Sequence, residues 1–146
     1  LSPFDNNIYM TNHGARGGDW FGKLNKGGNY GWDKLYWGGT KYSGLSGGPK
    51  WLPGYDKPIK YYVPSIAISA CVIYKGNEFP SWNKSALITS LKDQSLRKIS
   101  FTKKKLISEE IIFKDKIGRL RDIKIDNDGK LLILTDQGSL WSLSRN

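Results

Sequence analysis

Three stretches of this 146-residue chain hold the side chains whose types and spacing could do chemistry. The first runs from His13 to Trp32, HGARGGDWFGKLNKGGNYGW, and contains the chain's only histidine, His13, and one carboxylate ahead of Asn25, Asp19. Glycines at 14, 17 and 18 open backbone conformations that other residues avoid, so this stretch can fold as a tight turn. The second is Lys92, in Ser90-Leu91-Lys92, and the third is Arg119-Leu120-Arg121-Asp122. In a strand, residues i and i+2 share a face. Both guanidiniums of the third stretch can therefore grip one anion with paired donors. They can equally well pair with Asp122 and Asp126 at a sheet edge, and the spacing does not choose between the two.

The elements that must position these groups read as all-β. From Ser69 onward the sequence is a series of short β-like runs separated by turn residues, with no amphipathic helix of useful length. Strands are expected at Ala70 to Tyr74, Ser85 to Ser90, Ser95 to Phe101 and Leu106 to Phe113, a four-stranded antiparallel meander. A second unit follows, with strands at Leu120 to Ile125, Lys130 to Thr135 and Ser139 to Ser144, turning at Asn127-Asp128-Gly129 and Asp136-Gln137-Gly138. Residues 1–68 differ in texture. They hold most of the glycines, prolines and tryptophans, and only Asn7 to Thr11 and Ile59 to Val63 read as strands. Loops that long are uncommon in a compact domain unless they carry function. Trp32, Trp37 and Trp51 either fill a loop core or stack on a ring-shaped ligand.

Lysine and arginine outnumber aspartate and glutamate 23 to 13, a net charge of +10 that favours an anionic partner. No nucleic-acid motif accompanies the charge, and many lysines, such as Lys103-Lys104-Lys105, sit where a solvated surface would put them. Nucleic acid is therefore not expected as a partner. Cys71 is the only cysteine, which rules out an internal disulfide or a cysteine-rich zinc site. It lies in an apolar run and reads as a small buried hydrophobe. The longest apolar stretches fall far below the ~20 residues of a membrane span.

Together these residues resemble one family. The loop fits a pattern HGPRGGDE, then Asn, then GxNYGW, at His13, Gly14, Arg16, Gly17, Gly18, Asp19, Asn25, Gly28, Asn29, Tyr30, Gly31 and Trp32. Ala15 stands where the pattern has Pro, and Trp20 where it has Glu. With Lys92 and the RxRD tetrapeptide, the chain resembles the glucose/sorbosone dehydrogenase family, in particular its aldose sugar dehydrogenase branch. Those proteins are soluble six-bladed β-propeller quinoproteins that oxidise sugars with pyrroloquinoline quinone (PQQ).

The resemblance implies an all-β, partial six-bladed propeller with four-stranded antiparallel blades. At roughly 40 residues per blade the chain supplies about half of the ring. Residues 1–68 would be a loop-rich blade, 69–118 a four-stranded blade and 119–146 an incomplete last blade. It implies that Lys92, Arg119 and Arg121 hold the quinone's carboxylates. Calcium would lie at the backbone carbonyls of Gly14 and Ala15, beside Asp19 and Ser65. A Pro to Ala change is tolerable there because a carbonyl does not depend on its side chain. A second, structural calcium site of the family is not expected, because Trp20 removes its carboxylate. The family's catalytic base is a histidine in the N-terminal half, and His13 aligns with the loop instead, so no catalytic residue is expected here. The chain reads as a C-terminal portion of a PQQ-dependent sugar dehydrogenase, periplasmic or secreted. Alone it is expected to be inactive, partnered either by a second copy in a homodimer or by an N-terminal half. The alternatives are a carbohydrate- or anion-binding β module without chemistry, and a self-assembling half-propeller.

Overall fold

The computed structural model describes residues 1–102 and 105–145; of the lysine run, Lys103 and Lys104 lie outside the described residues. Three antiparallel sheets stack face to face. The first has the order β1 (Tyr9–Asn12), β2 (Asp19–Lys23), β3 (Lys60–Tyr62). The second runs β4 (Ile68–Ile73), β5 (Ala86–Ser90), β6 (Ser95–Phe101), β7 (Leu106–Lys114), and the third β8 (Leu120–Ile125), β9 (Leu131–Thr135), β10 (Leu140–Leu143). The only helical element among the described residues is one 3-10 turn at Pro80–Trp82. The strands expected from Ser69 onward are all present to within a few residues.

Side-chain alternation explains the stacking. In β5, Ala86 and Ile88 face the first sheet and join Phe21, Tyr62, Ile68 and Ile99 in one buried cluster. Leu87 points the other way, into a second cluster with Tyr74, Leu96, Leu120, Ile123, Leu131 and Ile133. A strand buried on both faces is what a central layer requires. Tyr74 ties the second sheet to the third: its fully buried hydroxyl donates to the Gly129 carbonyl at 2.8 Å and accepts from the Phe79 N–H at 3.0 Å.

β2 was not among the strands expected from sequence. Its DWFGK has a carboxylate at one end and a glycine inside, both poor strand formers. It is nonetheless a central strand, because alternation puts Asp19 and Phe21 toward the second sheet and Trp20 into a loop core with Leu35 and Trp37. Tertiary packing overrides local propensity here.

A polar network joins the first two sheets. Glu109 accepts from Arg97 at 2.8 Å and from the Tyr62 hydroxyl at 3.0 Å, and pairs with Lys60 at 2.8 Å. Asp93 accepts from Arg97, from Lys114 at 2.6 Å and from the Ser95 hydroxyl at 2.8 Å. Burial pushes the Asp93 carboxyl up, but the bonds from Lys114, Arg97 and Ser95 outweigh it and lower its pKa from 3.8 to about 2. In Glu109 too burial is outweighed, by Lys60 and Arg97, so its pKa is lowered. Carboxylates depressed by folding give stability that is fully present above their unfolded pKa and is lost as the pH falls through the folded one. Thermal unfolding should therefore worsen between pH 3.8 and about 2. In Arg97→Met the midpoint should be lower at pH 7 and fall less steeply across that window; parallel curves would remove the network from the account.

Candidate functional site

The loop between β1 and β2 closes on Asp19. The Gly14 N–H donates to Asp19 Oδ1 at 2.8 Å, the Ser65 hydroxyl lies 2.8 Å from both carboxylate oxygens, and the N–H groups of Ile66 and Ile68 donate to Oδ2 at 3.1 Å each. A carboxylate offers about four lone-pair sites, so three N–H groups and one hydroxyl saturate it. Asp19 is fully buried. It is the hub that fastens the loop to the segment leading into β4. Backbone bonds complete the closure, from Arg16 N to Thr40 O at 3.1 Å and from Gly18 N to Tyr62 O at 2.7 Å. Gly18 has a φ of +83°, and a Cβ there would lie 2.0 Å from the Tyr36 carbonyl oxygen. A Cβ on Gly14 would lie 2.4 Å from Gly17 O, so neither position tolerates a side chain. The carbonyls of Gly14 and Ala15 accept no hydrogen bond among the described residues.

Ser65 to Ala67 is gripped from its other side by the turn that follows β5. Leu91 N donates to Ala67 O at 2.8 Å, and the N–H groups of Lys92 and Asp93 donate to Ile66 O at 3.1 and 3.2 Å. Gly14, Asp19, Ser65 and Lys92 are thus joined through one continuous set of short bonds. The Lys92 side chain is exposed, with no acidic partner at ion-pair distance among the described residues.

Arg119 and Arg121 lie where β8 begins. Both reach the same anion, and it is Asp136. Arg119 Nε meets Oδ2 and Arg121 Nε meets Oδ1, each at 2.8 Å, and a terminal nitrogen of Arg121 also contacts Oδ1. Asp122 and Asp126, the partners that the spacing allowed, are engaged elsewhere: Asp122 accepts from Ile123 N, and Asp126 caps the turn through Asp128 N and Lys130 N. The hydrogen bonds from Arg119 and Arg121 hold the Asp136 carboxyl below its ordinary value. The strand is also bulged here. Leu120 pairs with Thr135 and Asp122 with Leu134, which leaves Arg121 without a partner. β4 carries a matching irregularity between Ile68 and Cys71, and there the Ser69 hydroxyl donates to Leu120 O at 2.7 Å. Bulges re-aim side chains at sheet ends. These two bring the head of β8 against the head of β4, four residues beyond Ser65.

Other residues of the loop have structural work. Trp20 is buried and stacks on Tyr30 with ring centroids 4.4 Å apart, and the Tyr30 hydroxyl donates to Lys23 O. Asp56 accepts from Asn25 at 2.9 Å and from Asn29 N at 3.0 Å, which folds the GGNYG turn. Trp37 fills the loop core, Trp51 lies under the Lys57 ammonium at 3.8 Å, and Trp32 stands 75% exposed. His13 is exposed at the head of the loop. Cys71 is half-buried, and burial pushes its thiol up to about 11, so it is no nucleophile at neutral pH. Among the described residues no three His, Cys, Asp or Glu side chains form a metal-binding group, and no helix is long and apolar enough to cross a membrane.

Comparison with known proteins shows the family of the chain. The sequence model of the glucose / sorbosone dehydrogenase family matches residues 1–142. The aldose sugar dehydrogenase YliI of Escherichia coli (strain K12) is 33% identical over 142 residues, which are 95% of this chain and 38% of that protein. A crystal structure of a glucose dehydrogenase, 31% identical, superposes with a TM-score of 0.91 over 100% of this chain and 43% of its own. The PQQ-bound aldose sugar dehydrogenase of Streptomyces coelicolor, at 18% identity and a TM-score of 0.68, shares the fold over 94% of this chain and 37% of its own. The chain therefore spans less than half the length of these relatives. It belongs to the glucose/sorbosone dehydrogenase family and carries part of that family's β-propeller fold.

Proposed function

We propose that this chain is the quinone- and calcium-holding portion of a PQQ-dependent sugar dehydrogenase, which oxidises a sugar hydroxyl by hydride transfer. The observation that carries the reading is the arginine pair at the bulged head of β8. Two guanidiniums converge there, half-exposed, with most of their terminal N–H groups left over by Asp136. Lys92 adds an exposed ammonium at the end of the neighbouring sheet's second strand. A tricarboxylate needs such cations, and the paired arginines supply two of them on one carboxylate clamp.

Calcium would be met by the unengaged carbonyls of Gly14 and Ala15, with Asp19 and Ser65 behind them holding the loop in shape. Hard cations take oxygen ligands of this kind. When bound, the quinone supplies the hydride acceptor and calcium the Lewis acid that polarises its carbonyl. The part played by this chain is to hold carboxylates, fix the loop and exclude water beneath it. No general base is assigned, since His13, the single histidine, heads the loop.

On this reading residues 1–68, 69–118 and 119–146 are three blades of a periplasmic or secreted propeller. The outer face of the third sheet carries Leu134 and Leu140, directly opposite each other and both exposed. A further blade or a second copy of the chain covers it. Light scattering of the purified chain should show a dimer, and a monodisperse monomer would count against the second copy.

Titration with free PQQ and calcium tests the function. A one-to-one complex is expected, weakened roughly 10- to 100-fold by each of Lys92→Ala, Arg119→Ala and Arg121→Ala, since each removes a charge-assisted bond. Sugar-dependent dye reduction by the chain alone should be absent. Binding that ignores all three substitutions favours the rival, a basic sugar- or anion-binding module.

A further inference from the structure

We propose that Asp136 is a positioning residue for the anion site: it clamps Arg119 and Arg121 by their inner Nε edges, so that their remaining terminal N–H groups form one outward receptor for carboxylate. The inference rests on the quinone reading above and adds a residue to it. Two like charges one residue apart repel, and on a bulged strand nothing in the backbone aligns them. Asp136 supplies the alignment. Each of its oxygens takes the Nε–H of a different arginine, and only Arg121 gives it a terminal nitrogen as well. Guanidinium presents its donors in a fixed fork, so a bond at Nε sets the direction of the whole plane.

The backbone of Asp136 is itself anchored. Asp136 N donates to Arg119 O at 2.9 Å, and Gly138 N closes the turn onto Thr135 O at 3.1 Å. The clamp thus joins the head of β8 to the β9–β10 turn. A competing occupant would sit on the terminal edges, where an incoming anion must bind; Asp136 leaves most of those edges open. The cluster keeps a net positive charge, two guanidiniums against one carboxylate, so it still attracts an anion.

Two measurements on the full chain test this. In side-chain nitrogen–proton NMR spectra, the Nε–H signals of Arg119 and Arg121, assigned with the single Arg→Lys variants, should exchange slowly with water. Their exchange should be roughly ten-fold faster in Asp136→Ala. In fluorescence titrations with free PQQ and calcium, the dissociation constant should rise roughly ten-fold in Asp136→Ala and less in Asp136→Asn, which keeps one acceptor oxygen. Far-UV spectra of both variants check that the fold is retained. Rapid exchange in the unaltered chain overturns the clamp. Unchanged or tighter PQQ binding in Asp136→Ala also overturns it, because a competitor or a bystander would behave in that way. If the unaltered chain binds no PQQ, or binds it regardless of Arg119 and Arg121, the quinone reading fails and takes the positioning role with it. Slow exchange in that same sample separates such a failure from a missing clamp.

Discussion

Asp19→Ala should destabilise the chain by about 3 to 5 kcal/mol, a large share of the 5 to 15 kcal/mol typical of a folded domain. The reason is what it leaves behind rather than what it removes. The N–H groups of Gly14, Ile66 and Ile68 and the Ser65 hydroxyl all end on this one fully buried carboxylate. Each buried donor left without an acceptor costs about 1 to 3 kcal/mol, and relaxation recovers part of the sum. Asp19→Asn keeps the shape but turns an amide NH2 toward existing donors, so it should cost about 3 kcal/mol rather than be neutral. Urea denaturation at pH 7 measures both. A loss under about 1 kcal/mol for Asp19→Ala would mean that the loop does not depend on its hub. On the proposed reading, calcium binding by the loop should fall along with its order, since the carbonyls of Gly14 and Ala15 belong to the segment that Asp19 fixes.

Much of this architecture was legible in the sequence, and the omissions have physical causes. The seven strands from Ser69 onward announce themselves through short β-branched and leucine-rich runs between turn residues. β2 does not, because its Asp, Trp and Gly are there to satisfy three different neighbours: the β4 entry, the loop core and the close approach of Pro58, whose Cα would lie 3.2 Å from a Cβ on Gly22. The shared face of Arg119 and Arg121 was predictable from the period of two, but their partner was not chosen by adjacency. A regular register continued back from Ile125 opposite Leu131 would set Asp136 opposite Leu120, on the face away from the two arginines. The bulge at Arg121 shifts that register by one residue and sets Asp136 against Arg119, whose carbonyl accepts from Asp136 N at 2.9 Å. The partner was therefore set by the bulge, which a period of two does not reveal, and nearness in sequence, which pointed to Asp122 and Asp126, was misleading.

The family resemblance carried the loop's residue types, but the bonds inside the loop could only come from the fold. The resemblance implied Asp19 and Ser65, 46 residues apart, as neighbours of a cation; the structure joins them to each other, the Ser65 hydroxyl donating to the Asp19 carboxylate. Lys92 meets the same segment through its backbone N–H, which leaves its side chain exposed. The proposed cation loop and Lys92 of the proposed anion site thus share one support, the strip from Ser65 to Ala67. Disturbing that strip should affect both.

Trp20→Glu restores the residue type that the family pattern has at this position, and it should be among the most damaging substitutions in the chain. Trp20 is 5% exposed and packs with Leu35, Trp37, Met10, Tyr55 and Tyr61, its ring stacked on Tyr30. Truncation to alanine should cost about 3 to 5 kcal/mol in lost burial and cavity. Glutamate should cost at least as much, because it also leaves a carboxylate among rings without a charged partner. Calcium should not restore the loss. The ion takes 6 to 8 oxygen ligands, whereas the side chains packed around Trp20 are aromatic and aliphatic, and the hydroxyl of Tyr30, the ring stacked on it, is already donated to Lys23 O. In this chain an aromatic stack fastens the loop where a carboxylate stands in the pattern, and one residue cannot revert that without its surroundings. Melting curves of Trp20→Glu in chelator and in excess calcium are expected to coincide well below that of the unaltered chain. A calcium-dependent return to the original midpoint would show instead that the oxygen ligands of a second cation site are still in place around position 20.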